Sequence, residues 1–339
     1  MTQITSGTGE LPVLNFANQQ QYCSIFPGTD LVKCPQIAKD IHVCQKKYGK
    51  KILLSIGGST YSEGGFRTPD AAKSAANMIW QMFGPPHPVA SGTSRRRAAT
   101  AYPRPFRRAV LDGFDLDFES HVENSVAFAS ELRRLMDAEN SKEYYLTAAP
   151  QCVYPDAADN SMFTAGISFD ALFVQFYNNP CGLQSFVPAA AAKPTRLANS
   201  TSASQSNFTA PPYETVQYRA VNQTHALNQS RPNAAAQAAF NFAVWDKWAR
   251  TKSANANVKI FLGVPANTNA AGSGYIPLSS LKDVINYCRS FASFGGVSMW
   301  DASQAYANPG FLDGVKDAMA PESFRARLVR RNIDRRWQA

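Results

Sequence analysis

Four acids crowd eight positions of this chain: Asp112, Asp115, Asp117 and Glu119, in the run Leu111-Asp112-Gly113-Phe114-Asp115-Leu116-Asp117-Phe118-Glu119-Ser120. Alternating apolar and acidic residues predict a β-strand. Side chains on a strand point to opposite faces in turn, so Asp115, Asp117 and Glu119 share one face, about 6–7 Å between successive members. Leu116 and Phe118 take the other face. Three like charges in a row repel, and at least one of them holds a proton near neutral pH. A carboxyl group kept protonated at that pH can act as a general acid. The plainer alternatives are a solvated sheet edge or a cation site. The apolar residues Ala109, Val110 and Leu111 before the row, with Phe114, Leu116 and Phe118 inside it, argue against the edge. A buried row of acids is costly without a task, because each unpaired charge is expensive to bury.

The elements that must carry this row alternate along the chain. Helices are expected over 35–47, 70–83, 123–139, 240–250 and 281–291, and strands over 52–56, 110–118, 144–149, 172–177, 258–264 and 295–300. Pro35 opens the first helix, where a missing N–H does no harm. Repeated strand–helix units imply a parallel sheet, and at this length a (β/α) barrel. Active sites of such barrels lie at the C-terminal ends of the strands, where Glu119, Tyr177 and Trp300 all fall.

Two stretches break the pattern. Residues 85–104 are rich in Pro, Ser and Arg, and 189–236 in Ala, Asn, Ser, Gln and Pro; both read as inserted loops. Asn199, Asn207, Asn222 and Asn228 lie in N-x-S/T sequons, which mark glycosylation if the chain is exported and chance in an Asn- and Ser-rich stretch otherwise. The net charge of +9 would suit a nucleic-acid binder. Six arginines and no acid lie within 85–108, however, and six more arginines lie in the 320–339 tail. The rest of the chain is close to neutral, so the basicity is peripheral and no nucleic-acid face is expected. No apolar run is long enough to span a membrane. Metal-ligand spacings such as C-x-x-C or H-x-x-x-H are absent, and no cofactor is expected.

The acidic row resembles the D-x-x-D-x-D-x-E signature of glycoside hydrolase family 18. Ser55-Ile56-Gly57-Gly58 resembles the S-x-G-G motif that ends an earlier strand of that family. Three later segments resemble it in order: Leu146-Thr147-Ala148-Ala149-Pro150-Gln151-Cys152, Val174-Gln175-Phe176-Tyr177-Asn178-Asn179-Pro180-Cys181, and Gly295-Gly296-Val297-Ser298-Met299-Trp300-Asp301. Together these motifs are similar to the plant and fungal class III chitinases, the fungal type above all, over 8–188 and 237–316.

This resemblance implies an eight-stranded TIM barrel over residues 1–319, carrying the two insertions and followed by the tail. It implies an endo-acting, retaining hydrolase of β-1,4-linked N-acetylglucosamine chains that works by substrate assistance, acts as a monomer on chitin or its oligomers, and sits outside the cell or in the cell wall. Glu119 is then the general acid. Asp117 orients the acetamido group, Asp115 shares a proton with it, and Tyr177 holds the acetamido oxygen. Gln175, Trp300, Asn178 and Met299 bind the sugar. Asp112 caps the strand, and Ser55, Gly57 and Gly58 pack inside the barrel. A non-catalytic glycan-binding protein and an endo-β-N-acetylglucosaminidase are the alternatives. Disulfides Cys23–Cys34 and Cys152–Cys181 follow from the same resemblance, which leaves Cys44 an orphan; Cys288 reads as a buried free thiol.

The chain departs from the family pattern at its front. It opens at Met1 without the Y-W-G-Q-N-like strand and the strand after it, and residues 1–20 carry no export signal. The expectation is a barrel short of its first one or two strands, with two raw edges. Leu11–Phe16 is a possible substitute strand.

Overall fold

The computed structural model describes residues 1–86, 102–188 and 237–320. The inserted loops and the tail expected from the sequence fall largely outside these residues, as do all four sequons. In chain order the strands are β1 (Gln3–Gly7), β2 (Leu11–Val13), β3 (Ser24–Ile25), β4 (Val32–Lys33), β5 (Leu53–Gly57), β6 (Gly113–Asp117), β7 (Tyr145–Ala148), β8 (Ala171–Gln175), β9 (Lys259–Pro265) and β10 (Phe294–Trp300). The helices are α1 (Pro35–Lys46), α2 (Pro69–Phe83), α3 (Ser125–Ala138), α4 (Asn160–Thr164), α5 (Phe242–Thr251), α6 (Leu278–Cys288), α7 (Ala302–Tyr306) and α8 (Phe311–Met319).

Six strands make one all-parallel sheet in the order β10-β9-β8-β7-β6-β5. This is the α/β layering expected of a TIM-type fold. Among the described residues β5 and β10 are its edges, with no pairing that closes one onto the other. Leu11–Phe16 does not join this sheet. Leu11–Val13 instead pairs antiparallel with Gln3–Gly7 in a separate hairpin, which the sequence reading missed. Beside β5, the Gly57 N–H donates to the Met1 carbonyl (2.9 Å) and the Met1 nitrogen donates to the Ser55 carbonyl (2.8 Å). The start of the chain therefore flanks the C-terminal end of that strand.

The helices cover the sheet for local reasons. Thr68 caps α2 by accepting from the Ala71 N–H, and Pro69 supplies the first turn. Its apolar face (Ala72, Ala76, Ile79, Phe83) is buried, and Trp80 stacks edge-on against Tyr144. Phe114, Leu116 and Phe118 are each no more than 1% exposed, so the outward face of β6 is sealed in this layer. That leaves the acids no choice but to face inward.

The strand expected over 110–118 starts later, at Gly113. Its lead-in is held by the Asp112 side chain, which accepts from Lys142 Nζ (2.8 Å), Gln45 Nε2 (2.8 Å) and the Ile52 N–H (2.8 Å). Burial pushes that carboxyl up, but these donors outweigh it and hold it below the usual range. Asp112 thus anchors the base of β6, away from the chemistry. Gly113 follows with φ +156°, and a Cβ there would overlap the Tyr145 carbonyl oxygen of β7. Gly113→Ala should lower stability by about 2 kcal/mol or more. Gly310→Ala, also at positive φ but in open space, should cost only about 1 kcal/mol. Urea unfolding of the two variants checks the contrast; equal losses would discard the β7 clash as the reason.

Both disulfides anticipated from the resemblance are formed, Cys23–Cys34 and Cys152–Cys181; Cys44 and Cys288 are free.

Candidate active site

At the C-terminal ends of the parallel strands lies a cleft of about 620 Å³. The acid row lines it. Asp115 and Asp117 project from β6, and Glu119 stands two residues past the strand's end. Cross-strand register decides their partners. Asp115 lies between Ser55 of β5 and Thr147 of β7. Its two oxygens accept from Ser55 Oγ (3.0 Å) and Thr147 Oγ1 (2.6 Å). Asp117 Oδ1 accepts from Gln175 Nε2 (3.1 Å), whose other proton goes to the Ala149 carbonyl (3.0 Å). Gln175 therefore steadies the row itself.

The S-x-G-G motif has a physical reason here. Ser55 donates to Asp115 as just described, so it serves the row as well as the packing. Gly57 (φ +107°) lies where a Cβ would overlap the Asp117 carbonyl oxygen, and the Gly58 N–H donates to that oxygen (2.6 Å). Only a glycine lets β5 approach β6 this closely.

Burial raises every member of the row. Asp115 is lifted by burial, against its two hydroxyl donors. Asp117 is pushed up to about 8 by burial first, then by the charges of Asp115 and Glu119. Glu119, half-buried, is also lifted by burial, with the Gln175 amide pulling back. Asp115 has both oxygens engaged as acceptors while Asp117 has one, which favours a proton on Asp117. The row titrates as a coupled unit.

Tyr177, just beyond β8, faces the same cleft, and burial followed by the Asp117 and Glu119 charges raises its phenol, keeping it protonated. Trp300 ends β10 half-exposed, with Met299 beside it, and Asn178 lines the wall. All eight residues singled out in the sequence therefore meet in one cleft. The sequence reading missed Thr147, which holds Asp115, and the cleft-lining Phe173, Ser298 and Ala270. Thr147 could be found only by pairing it with Asp115 across two strands. Asp159 was also missed. It is fully buried with neither carboxyl oxygen partnered, and burial together with Asp156, Asp117 and Asp115 keeps it well above the usual carboxylate range.

The carboxylates lining the cleft among the described residues, Asp115, Asp117 and Glu119, all come from one strand and its end. That arrangement offers a proton donor at the mouth and a neutral acid behind it. It offers no carboxylate on the opposite wall.

Comparison with known proteins agrees with this geometry. A "Class III chitinase" of Arthroderma benhamiae is 49% identical over 324 residues, covering 96% of this chain and 81% of the relative. "Endochitinase 33" of Trichoderma harzianum is 38% identical over 91% of this chain and 78% of its own length. Among solved structures, a xylanase and α-amylase inhibitor protein from Scadoxus multiflorus superposes with a TM-score of 0.59 at 26% identity, over 91% of this chain and 84% of that one. The sequence profile described as glycosyl hydrolases family 18 matches residues 12–276, and the chain belongs to that family.

Proposed function

We propose that this chain is an endo-acting chitinase that cleaves β-1,4 bonds between N-acetylglucosamine units with net retention, its catalytic unit spanning 1–319. The observation that carries the reading is the one-sided acid row. A pair of carboxylates flanking the sugar is the usual glycosidase device, one for the acid and one for the nucleophile or base. Among the described residues the acids of the cleft come from β6 and the residues just after it, and the one nearest Glu119 is pushed up to about 8. A neutral carboxyl is a poor nucleophile. The nucleophile then comes from the substrate, whose N-acetyl group sits on the ring carbon next to the anomeric carbon, so that its oxygen can close a five-membered ring. This is the substrate-assisted route of the family.

In that reading Glu119 donates its proton to the departing glycosidic oxygen as the acetamido oxygen attacks the anomeric carbon. The C–O bond to the leaving sugar breaks and an oxazolinium ring closes. Asp117 accepts the acetamido N–H and stabilises positive charge on that nitrogen, passing its resting proton to Asp115. Tyr177 donates to the acetamido oxygen and holds it in line. Water then opens the ring, with Glu119 as base. Trp300 offers its exposed face to a sugar ring, Met299 fills in beside it, and Asn178 and Gln175 border the same subsite. The chain's likeness to the chitinases of Arthroderma benhamiae and Trichoderma harzianum supports this reading.

The two disulfides fit an oxidising compartment, so we place the protein outside the cell or at the wall. No helix among the described residues is long and apolar enough to cross a membrane.

The test compares a chitin oligomer with a high-mannose glycopeptide and follows the anomeric proton of the new reducing end by NMR. Hydrolysis of the oligomer alone, with the β-anomer appearing first, is expected. Cleavage of the glycopeptide instead would reassign the chain as an endo-β-N-acetylglucosaminidase. Oligomer binding without turnover would make it a lectin on the same fold.

A further inference from the structure

One wall of the cleft is the loop 266–277 between β9 and α6, which contributes Ala270 to the lining. Its two ends are tied together by Asn308, whose Nδ2 donates to the Ala266 carbonyl (2.8 Å) and to the Tyr275 hydroxyl (3.3 Å). Its middle is tied to the residue directly after Tyr177. The Asn178 N–H donates to the Ser273 carbonyl (3.2 Å), and Asn178 Oδ1 accepts from the Ser273 N–H (3.0 Å). One residue thus closes a reciprocal pair with one loop residue, and it does so from φ +56°, a conformation that asparagine tolerates better than most.

The loop then bears on Tyr177. Gly274 (φ +100°) abuts it so closely that a Cβ there would sit 2.8 Å from both Tyr177 Cα and Cβ. From the other side, Asn179 Nδ2 donates to the Tyr177 carbonyl (3.1 Å), and Asn179 is itself held by Gln184 Nε2 (2.8 Å). The backbone of Tyr177 is bracketed between a loop and a turn. Asn178 is the side chain that fastens the loop half of the bracket.

We propose that Asn178 is a positioning residue for Tyr177: by locking Ser273 it seats Gly274 against the tyrosine backbone and fixes where the phenol hydroxyl points. This rests on the role given to Tyr177 above. It also explains why the Oδ1 of a cleft-lining asparagine is spent on the protein rather than offered to a sugar. A small misplacement of an orienting group lowers turnover more than binding, because only the fraction of complexes in attack geometry changes.

The experiment uses Asn178→Gly, which tolerates the positive φ but removes the acceptor, and Asn178→Asp, which keeps it. Each is made in the parent chain and in Tyr177→Phe, and kcat and KM are measured on a chitotriose–fluorophore conjugate at each variant's own pH optimum. Asn178→Gly should lower kcat about tenfold and move KM less than about twofold, and Asn178→Asp should recover most of the loss. In the Tyr177→Phe background the glycine should remove nothing further, since the group it positions is gone. An equal loss in both backgrounds, or a rise in KM alone, overturns the proposal in favour of general packing or a direct sugar contact. Hydrogen exchange gives a readout independent of turnover: the Ser273 and Gly274 amides should exchange faster in the glycine variant and recover in the aspartate variant. Unchanged exchange overturns the lock even if activity falls. A parent chain that hydrolyses no chitin oligomer, with the exchange result as expected, would instead refute the chitinase reading and with it the positioning role, leaving only a loop clasp.

Discussion

Glu119→Gln should abolish release of the fluorescent aglycone from a chitotriose conjugate, lowering kcat by about 10³-fold or more while leaving KM within a small factor. The amide matches the carboxyl in shape but has no acidic proton to give. Glu119 stands at the mouth of the cleft, two residues beyond β6, where burial lifts its carboxyl and the Gln175 amide restrains it. It can therefore stay protonated in mild acid and still meet solvent to be recharged. The loss should depend on the leaving group. A dinitrophenyl glycoside needs little help from an acid, so the same variant should lose far less on that substrate. Equal losses on both substrates would mean that the variant damaged the site as a whole. Full activity on both would move the acid role to another residue.

How much of this site could be read from sequence depends on the kind of contact each residue makes. The acid row was legible because a period of two is written directly in Phe114-Asp115-Leu116-Asp117-Phe118-Glu119, and the outward residues prove fully buried. Tyr177 and Trp300 were legible as strand-end aromatics. The boundaries were less so. Val110 and Leu111 continue the apolar pattern, yet they lie outside the strand, because the Leu111 N–H donates to the Phe83 carbonyl and the Val110 carbonyl accepts from the Gln45 and Lys142 side chains. The partners of the row were not legible at all. Ser55 and Thr147 lie 60 and 32 residues from Asp115, and only strand register brings the three together. Asn178 illustrates the remaining gap: the family resemblance implied a sugar contact, while its bond to Ser273, 95 residues on, turns it toward the protein. The β1–β2 hairpin escaped because Leu11-Pro12-Val13 is too short to show a period.

Asp117→Asn should have two consequences that can be measured apart. The first is on rate: kcat should fall by about 10²- to 10³-fold. An asparagine oxygen can still accept the acetamido N–H, but it carries no charge to balance the oxazolinium nitrogen and cannot pass a proton to Asp115. The second is on stability, and its sign follows from the direction of the shift. The folded protein holds the Asp117 proton up to about pH 8, whereas the unfolded chain releases it near 3.8. Below pH 3.8 both states are protonated and the neutral carboxyl does not penalise folding. As pH rises toward 8 the unfolded chain gives up a proton that the folded chain retains, so stability falls across that window. The size is on the order of a few kcal/mol, because the row shares its charge among three groups. Asparagine does not titrate, while Asp115 and Asp159 remain in both proteins. The melting temperature of Asp117→Asn relative to the parent should therefore rise steadily from pH 4.5 to 8.5. Two melting curves that stay parallel over that range would show that Asp117 is ionised in the folded state. A charged Asp117 could then serve as the nucleophile itself, and the case for attack by the substrate's own acetamido group would lose its electrostatic basis.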